Sequence, residues 1–129
     1  FHIEETIKNQ ALAHPQVAFH LRVDGRRRLD YPAAPDKERL RAVYRYHGPL
    51  LALDLRGEQG ERIAGFLLLP QEVSTSTARL RLLVNKRPVQ DRILRQAVLA
   101  GLRDLLMRSM QPAGLVSLSL DPAEIDVNV

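Results

Sequence analysis

The stretch RLRLLVNKRPVQDRILRQAVLAGLRDLLMRSMQPAGLVSLSL, residues 79–120, decides the fold. Over Arg79–Asn85 apolar and polar residues alternate so that Leu80, Leu82 and Val84 share one face, the period of a strand. From Val89 to Arg108 the apolar positions recur at helical spacing instead. Asp91 stands where a carboxylate favours the positive end of a helix, and Pro112 and Gly114 close the run. Leu115–Leu120 returns to strand alternation. A long helix between two strands, following hairpins, predicts an α+β fold with helices packed on one face of a mixed β-sheet. The 79–85 strand is expected at or near the sheet's centre.

Upstream, Ile3, Ile7 and Ala11 recur every fourth residue among Glu4, Glu5, Lys8, Asn9 and Gln10, predicting an amphipathic helix over His2–His14 that Pro15 stops. Val17, Phe19, Leu21 and Val23 then alternate with polar residues, and Asp24-Gly25 is a two-residue turn signal leading to a return strand toward Tyr31. Pro32 and Pro35 make the next segment a connection, after which Asp36 is placed to cap a helix over Lys37–Tyr46 facing Leu40, Val43 and Tyr44 inward. A second hairpin joins Leu51–Arg56 to Arg62–Leu69, with Gly57, Gly60 and Gly65 as its glycines. Residues 71–78 read as a polar loop.

With 129 residues, 45% hydrophobic and 26% charged, the chain suits one soluble domain and holds no apolar run of bilayer length. The absence of cysteine excludes disulfides, thiolate metal sites and cysteine nucleophiles. A net charge of +4 suits an anionic partner. The cations are mainly arginines, whose planar forks match phosphate; Lys8, Lys37 and Lys86 are the only lysines. A start at Phe1 and a stop at Val129 in apparent strand suggest an excised fragment.

On a helical wheel of about 100° per residue, Leu94, Ala97, Val98, Gly101 and Leu105 fall on one side of the 89–108 helix. Arg92, Arg95, Gln96 and Arg103 fall on the other. With Lys86 and Arg87 in the turn before it, this face gathers cations that could straddle a sugar–phosphate backbone. A merely solvated face is the competing reading, since Leu99 interrupts the stripe. Arg26-Arg27-Arg28 should point to alternate faces of a strand and protect its edge rather than form one patch. His2, His14, His20 and His47 show no metal-ligand spacing, and His14 is expected to bond a helix-terminal carbonyl. Neither the 74–77 Ser/Thr run nor any glycine-rich motif supplies a nucleophile or a phosphate cradle, and Asp121-Pro122 reads as a turn.

Three strings carry a resemblance. Ala11-Leu12-Ala13-His14-Pro15-Gln16-Val17-Ala18-Phe19, then Leu83-Val84-Asn85-Lys86-Arg87 with Asp91-Arg92, then Asp121-Pro122 leading to Ile125-Asp126-Val127-Asn128-Val129 resemble the second domain of the MutL family of DNA mismatch repair proteins, in the family's order and spacing. The resemblance implies a ribosomal protein S5 domain 2-like fold following an ATP-binding domain of the GHKL class. It implies a transducer that relays nucleotide state, helps the N-terminal regions form a homodimer, and lends a basic groove to double- or single-stranded DNA. Arg92 aligns with an arginine that the family places in that groove; Arg95, Lys86, Arg87 and Arg103 join it as neighbours.

By the same resemblance, ATP and Mg belong to the parent protein, and this stretch has no catalytic residue, cofactor or metal of its own. Other mismatch repair proteins are implied as partners, with no membrane, and a cytoplasmic, nucleoid-associated place in a bacterial cell. Two departures stand out. Lys86 replaces the glycine of the family's V-N-G-R pattern, which puts the turn geometry in question. The sequence also ends at Val129, before the H-P-x-K string whose lysine reaches the nucleotide's terminal phosphate. Competing readings are the equivalent domain of a type II topoisomerase subunit, a protein-interaction module that binds no DNA, and an unrelated small enzyme.

Overall fold

The computed structural model describes residues 2–68, 80–103 and 112–121. The backbone gathers into two units, 1–48 and 49–129, each with its own sheet.

In the first unit, helix α1 (His2–Ala13) forms where the fourfold recurrence predicts it. It buries Ala11, Leu12 and Ala13 at its end and leaves Ile3 exposed. Strands β1 (Phe19–Val23) and β2 (Arg26–Tyr31) pair antiparallel across Asp24 and Gly25, whose φ of 53° and 76° give the left-handed pair of a type I′ turn. Helix α2 (Asp36–Tyr44) begins one residue earlier than predicted, so Asp36 does not cap it; Pro35 holds the cap position without a side-chain bond. Asp36 and Glu38 instead lie in the first turn, where the helix dipole favours carboxylates. The helix stops at Tyr44 because Arg45 turns left-handed, φ 51°, and Tyr46 N donates back to Arg41 O. Leu40 and Val43 are buried as expected, and Tyr44 is half-buried.

The centre of this unit is a cation. Arg39 is 1% exposed. Its Nη1 donates to Ala11 O (2.7 Å) and His14 O (3.2 Å); its Nη2 donates to Val17 O (2.7 Å), Pro32 O (2.7 Å) and Tyr31 O (3.4 Å). The guanidinium also stacks 5.7 Å from the Phe19 ring centroid and 6.0 Å from that of Tyr31. One planar fork thus gathers carbonyls from the end of α1, from the two connections and from the end of β2. Burial pulls the Arg39 pKa down, opposed by Tyr31. Ala11 O, one of the terminal carbonyls of α1, is thus taken by Arg39.

The second unit is a mixed sheet in the order β3 (Leu50–Arg56), β4 (Arg62–Leu68), β7 (Ala113–Ser119), β5 (Leu80–Val84), β6 (Arg87–Val89). All pairs are antiparallel except β5 with β7. β7 is central and β5 lies beside it. Arg87 belongs to β6, a strand too short to show alternation in sequence, rather than to a turn entering the helix. Gly65 and Gly114 likewise sit inside β4 and β7, not in the hairpin turn or at a helix end. At φ 149° and 132°, a Cβ on either would strike the neighbouring strand's backbone at Leu115 O or Phe66 O.

Helix α3 (Arg92–Leu102) joins Leu102 to a buried cluster of Leu53, Leu67, Leu80, Leu82 and Val116, against which Leu94, Val98 and Leu99 also pack. The packed face is therefore rotated from the predicted one: Ala97 and Gly101 are exposed, and Leu99 faces the core. Leucine buries far more apolar area than alanine or glycine, so the large side chains set the phase. The predicted continuation to Arg108, including Leu105, the 71–78 loop, and the segment after Asp121 lie outside the described residues.

Candidate nucleic-acid interface

The site begins at the two-residue turn between β5 and β6. Asn85 and Lys86 are both left-handed, φ 48° and 65°, and Val84 pairs with Arg87 across them. Lys86 thus occupies a position that would suit glycine, and the type I′ turn closes all the same. Asn85 N donates to Leu118 O at 2.8 Å. The Asn85 side chain donates to Leu120 O (3.0 Å) and accepts from Leu120 N (2.9 Å). The turn that carries Lys86 is in this way fastened to the end of β7.

Helix α3 starts soon after. Asp91 accepts from Leu94 N at 3.0 Å, an N-cap that sets Arg92 as the first helical residue. Asp91 is the one carboxylate between Asn85 and Arg103. Arg92, Gln96 and Arg103 fall on one stripe along the flank of the packed face, all exposed, and Lys86 and Arg87 are exposed ahead of the helix. Arg95 leaves this set: its Nη1 donates to Leu80 O at 2.8 Å, so the guanidinium is turned toward the sheet edge. The outermost face of α3 is not basic but small and apolar, with Ile93 81% exposed beside Ala97 and Ala100. Of the five expected residues, the backbone groups Lys86 with Arg87 on one hairpin and Arg92 with Arg103 on one helix flank.

Chemically, such a surface can take phosphate oxygens through charge-assisted forks. Among the described residues no three His, Asp or Glu side chains cluster as metal ligands. Asp30, Asp54 and Asp91 are engaged by His20 and Arg27, by Arg62, and by Leu94 N. No helix among the described residues is long and apolar enough to cross a membrane.

Sequence reasoning missed two features. Nothing local marks Arg39 as buried, because its partners are backbone carbonyls as far away as Ala11. The arginine run 26–28 was expected to alternate, yet the β1–β2 register shifts between Leu21 and Arg22, so the strand is bulged and the alternation breaks.

Residues 42–129 match the family model described as DNA mismatch repair protein, C-terminal domain. The chain is 42% identical over 134 residues to the DNA mismatch repair protein MutL of Phenylobacterium zucineum, covering 98% of this chain and 21% of that protein. It is 38% identical over 133 residues to MutL of Caulobacter vibrioides, with coverage of 98% and 21%. The chain thus spans about a fifth of the length of these relatives. Among solved structures it is similar to the Aquifex aeolicus MutL ATPase domain complexed with ADP, with a TM-score of 0.67 and 25% identity over 92% of this chain and 41% of that one. A second structure, the ATPase domain of the bacterial mismatch repair endonuclease Aquifex aeolicus MutL, superposes with a TM-score of 0.68 at 23% identity, over 97% of this chain and 44% of that one. That second likeness bears on fold alone, and it agrees with the expected S5-like α+β architecture.

Proposed function

The chain belongs to the DNA mismatch repair protein family, and from that premise we propose that it is the transducer segment of a MutL-type ATPase, touching DNA through the basic flank of α3. The observation that carries this reading is the coupling of two cationic elements to one rigid frame. Lys86 on the turn fastened to β7 and Arg87 at the start of β6 share one hairpin, and Arg92 and Arg103 sit on a helix capped by Asp91 and packed on the same sheet. A frame of this kind holds several guanidinium groups at fixed spacing, which lowers the entropy lost when phosphates bind. Binding is sequence-independent, because the contacts are to backbone oxygens.

The parent's nucleotide enters as a neighbour's ligand. ATP and Mg are held outside this stretch, and the chain's own contribution is to carry a shift between open and dimerised arrangements to the DNA surface. The sheet supports such a relay, since β7 links the Asn85 turn, β4 and β5 in one hydrogen-bonded array. Homodimerisation, other mismatch repair proteins as partners, and a cytoplasmic, nucleoid-associated place in the cell follow from the same reading. The family match sets aside a type II topoisomerase subunit.

The test is fluorescence anisotropy of a labelled duplex at low salt with the chain and its Arg92→Glu variant. A loss on the order of tenfold or more with unchanged thermal stability supports the reading. Equal affinity for both proteins overturns it. A second reading has its own observation: the exposed Ile93, Ala97 and Ala100 face suits a protein contact, and Ile93→Asp would weaken assembly of the parent while leaving duplex binding intact.

A further inference from the structure

We infer that the tip of the β1–β2 hairpin is a second phosphate-contacting surface, separate from α3, that takes the backbone of duplex DNA. Its site is argued from the first unit alone; its ligand rests on the reading above.

The backbone makes the case first. Leu21 pairs with Leu29, but Arg22 pairs with Arg27, so Arg28 is an extra residue on β2. In an unbroken strand Arg27 and Asp30, three apart, would point to opposite faces. Here Arg27 Nη1 donates to Asp30 Oδ2 at 2.7 Å, and Asp30 also holds His20 Nδ1 at 2.6 Å on the partner strand. The bulge has brought Arg27 onto the His20–Asp30 face. Arg28, next to the inward Leu29, faces the same way by ordinary alternation, and Arg22, next to the inward-facing Leu21, does so from β1. Three guanidinium groups therefore share the outer face of one hairpin, which an unbroken strand would not allow.

A cleft of about 480 Å³ opens beside them, lined by Val23, Asp24, Arg26, Arg27 and Arg28. Of the three, Arg22 and Arg28 are exposed and form no ion pair among the described residues, so their forks are free for an anion. From Phe19 to Tyr31 the hairpin carries Arg22, Arg26, Arg27 and Arg28 against Asp24 and Asp30. Like charges gathered this closely repel one another unless an anion joins them, and a ligand with regularly repeated phosphates engages several forks at once. A membrane-seeking tip would present bulky apolar side chains; this one has only Val23.

The test uses the whole chain, a labelled duplex of arbitrary sequence, and a salt series, with Arg22→Ala/Arg28→Ala, Arg92→Glu and Arg28→Lys variants. The hairpin double variant is expected to flatten the plot of log affinity against log salt by about 2, near one contact per arginine, at unchanged melting temperature. Arg28→Lys keeps the charge and should keep most of the slope. A double variant with the parent's slope and affinity overturns the inference, whatever Arg92→Glu does. A flattened slope with Arg92→Glu silent sustains the hairpin site and removes the α3 reading. No binding by the parent at low salt overturns both.

Discussion

The side chain of Asn85 pairs in both directions with the backbone of Leu120, donating to its carbonyl at 3.0 Å and accepting from its N–H at 2.9 Å. An amide side chain here substitutes for one more residue of β-ladder, prolonging the β5–β7 contact past the point where the chain turns. Asparagine also tolerates the left-handed φ of 48° that the turn demands. Both demands fall on one residue. Asn85→Ala is therefore expected to cost about 1–2 kcal/mol, from two lost bonds and added backbone strain. Asn85→Gly relieves the strain but not the lost pairing and should fall between Ala and the parent, as thermal unfolding of the three proteins will check.

Lys86 separates stability from binding. Its φ of 65° is one that glycine adopts without steric cost, so Lys86→Gly should stabilise the fold by roughly 0.5–1 kcal/mol after the entropy glycine loses on folding. The same change deletes an exposed cation, and the salt slope of duplex binding should fall by about 1. Denaturant melts and anisotropy on one variant measure both.

Arg39 is the opposite case, a buried charge whose removal strands its partners. Arg39→Met removes the guanidinium that Ala11 O, Val17 O and Pro32 O accept from at 2.7 Å, while His14 O keeps Val17 N, and should cost about 3–5 kcal/mol. Arg39→Lys rescues little, because a single ammonium cannot span carbonyls that two separate nitrogens now reach. Hydrogen exchange should report the loss first in residues 1–48.

Asp54 and Arg62 pair across β3 and β4 at 3.0 Å. The hydrogen bond from Arg62 holds the Asp54 carboxyl below its usual range, helped by the charges of Arg62 and Arg56 and opposed by desolvation. A depressed pKa means the unfolded chain binds the proton more readily. The contribution is then present above the ordinary carboxylate value of about 4 and fades as pH falls through the lower folded value. Asp54→Asn should lower the melting temperature slightly at pH 7, where the contribution is present, and leave a shallower acid limb than the parent below about pH 4, as acid titration of the melting temperature will show.

Much of this fold is legible in sequence because its signals are local. The Asp24-Gly25 turn, the alternation of Leu51, Leu53 and Leu55, and the Asp91 cap each depend on residues a few positions apart. What is not legible is set by distant partners. The phase of α3 is fixed by which side chains the cluster around Leu67 and Val116 accepts, so Leu99 faces inward and Gly101 outward. Arg95 is drawn from the basic stripe by a carbonyl on Leu80, and Gly65 serves the approach of β7 rather than a turn. The bulge at Arg28 is likewise a property of the pairing with β1. The grouping of Lys86 with Arg87 and of Arg92 with Arg103 follows from local spacing, whereas that of Arg22, Arg27 and Arg28 depends on the bulge.

The most direct test of the central claim is the salt dependence of duplex binding by the parent beside an Arg92→Ala/Arg103→Ala double variant, measured by anisotropy on one labelled duplex. If α3 lays its arginines on the phosphate backbone, parent affinity falls by decades as salt rises, and the double variant flattens the log–log slope by about 2. A double variant that keeps the parent's slope and affinity contradicts the account.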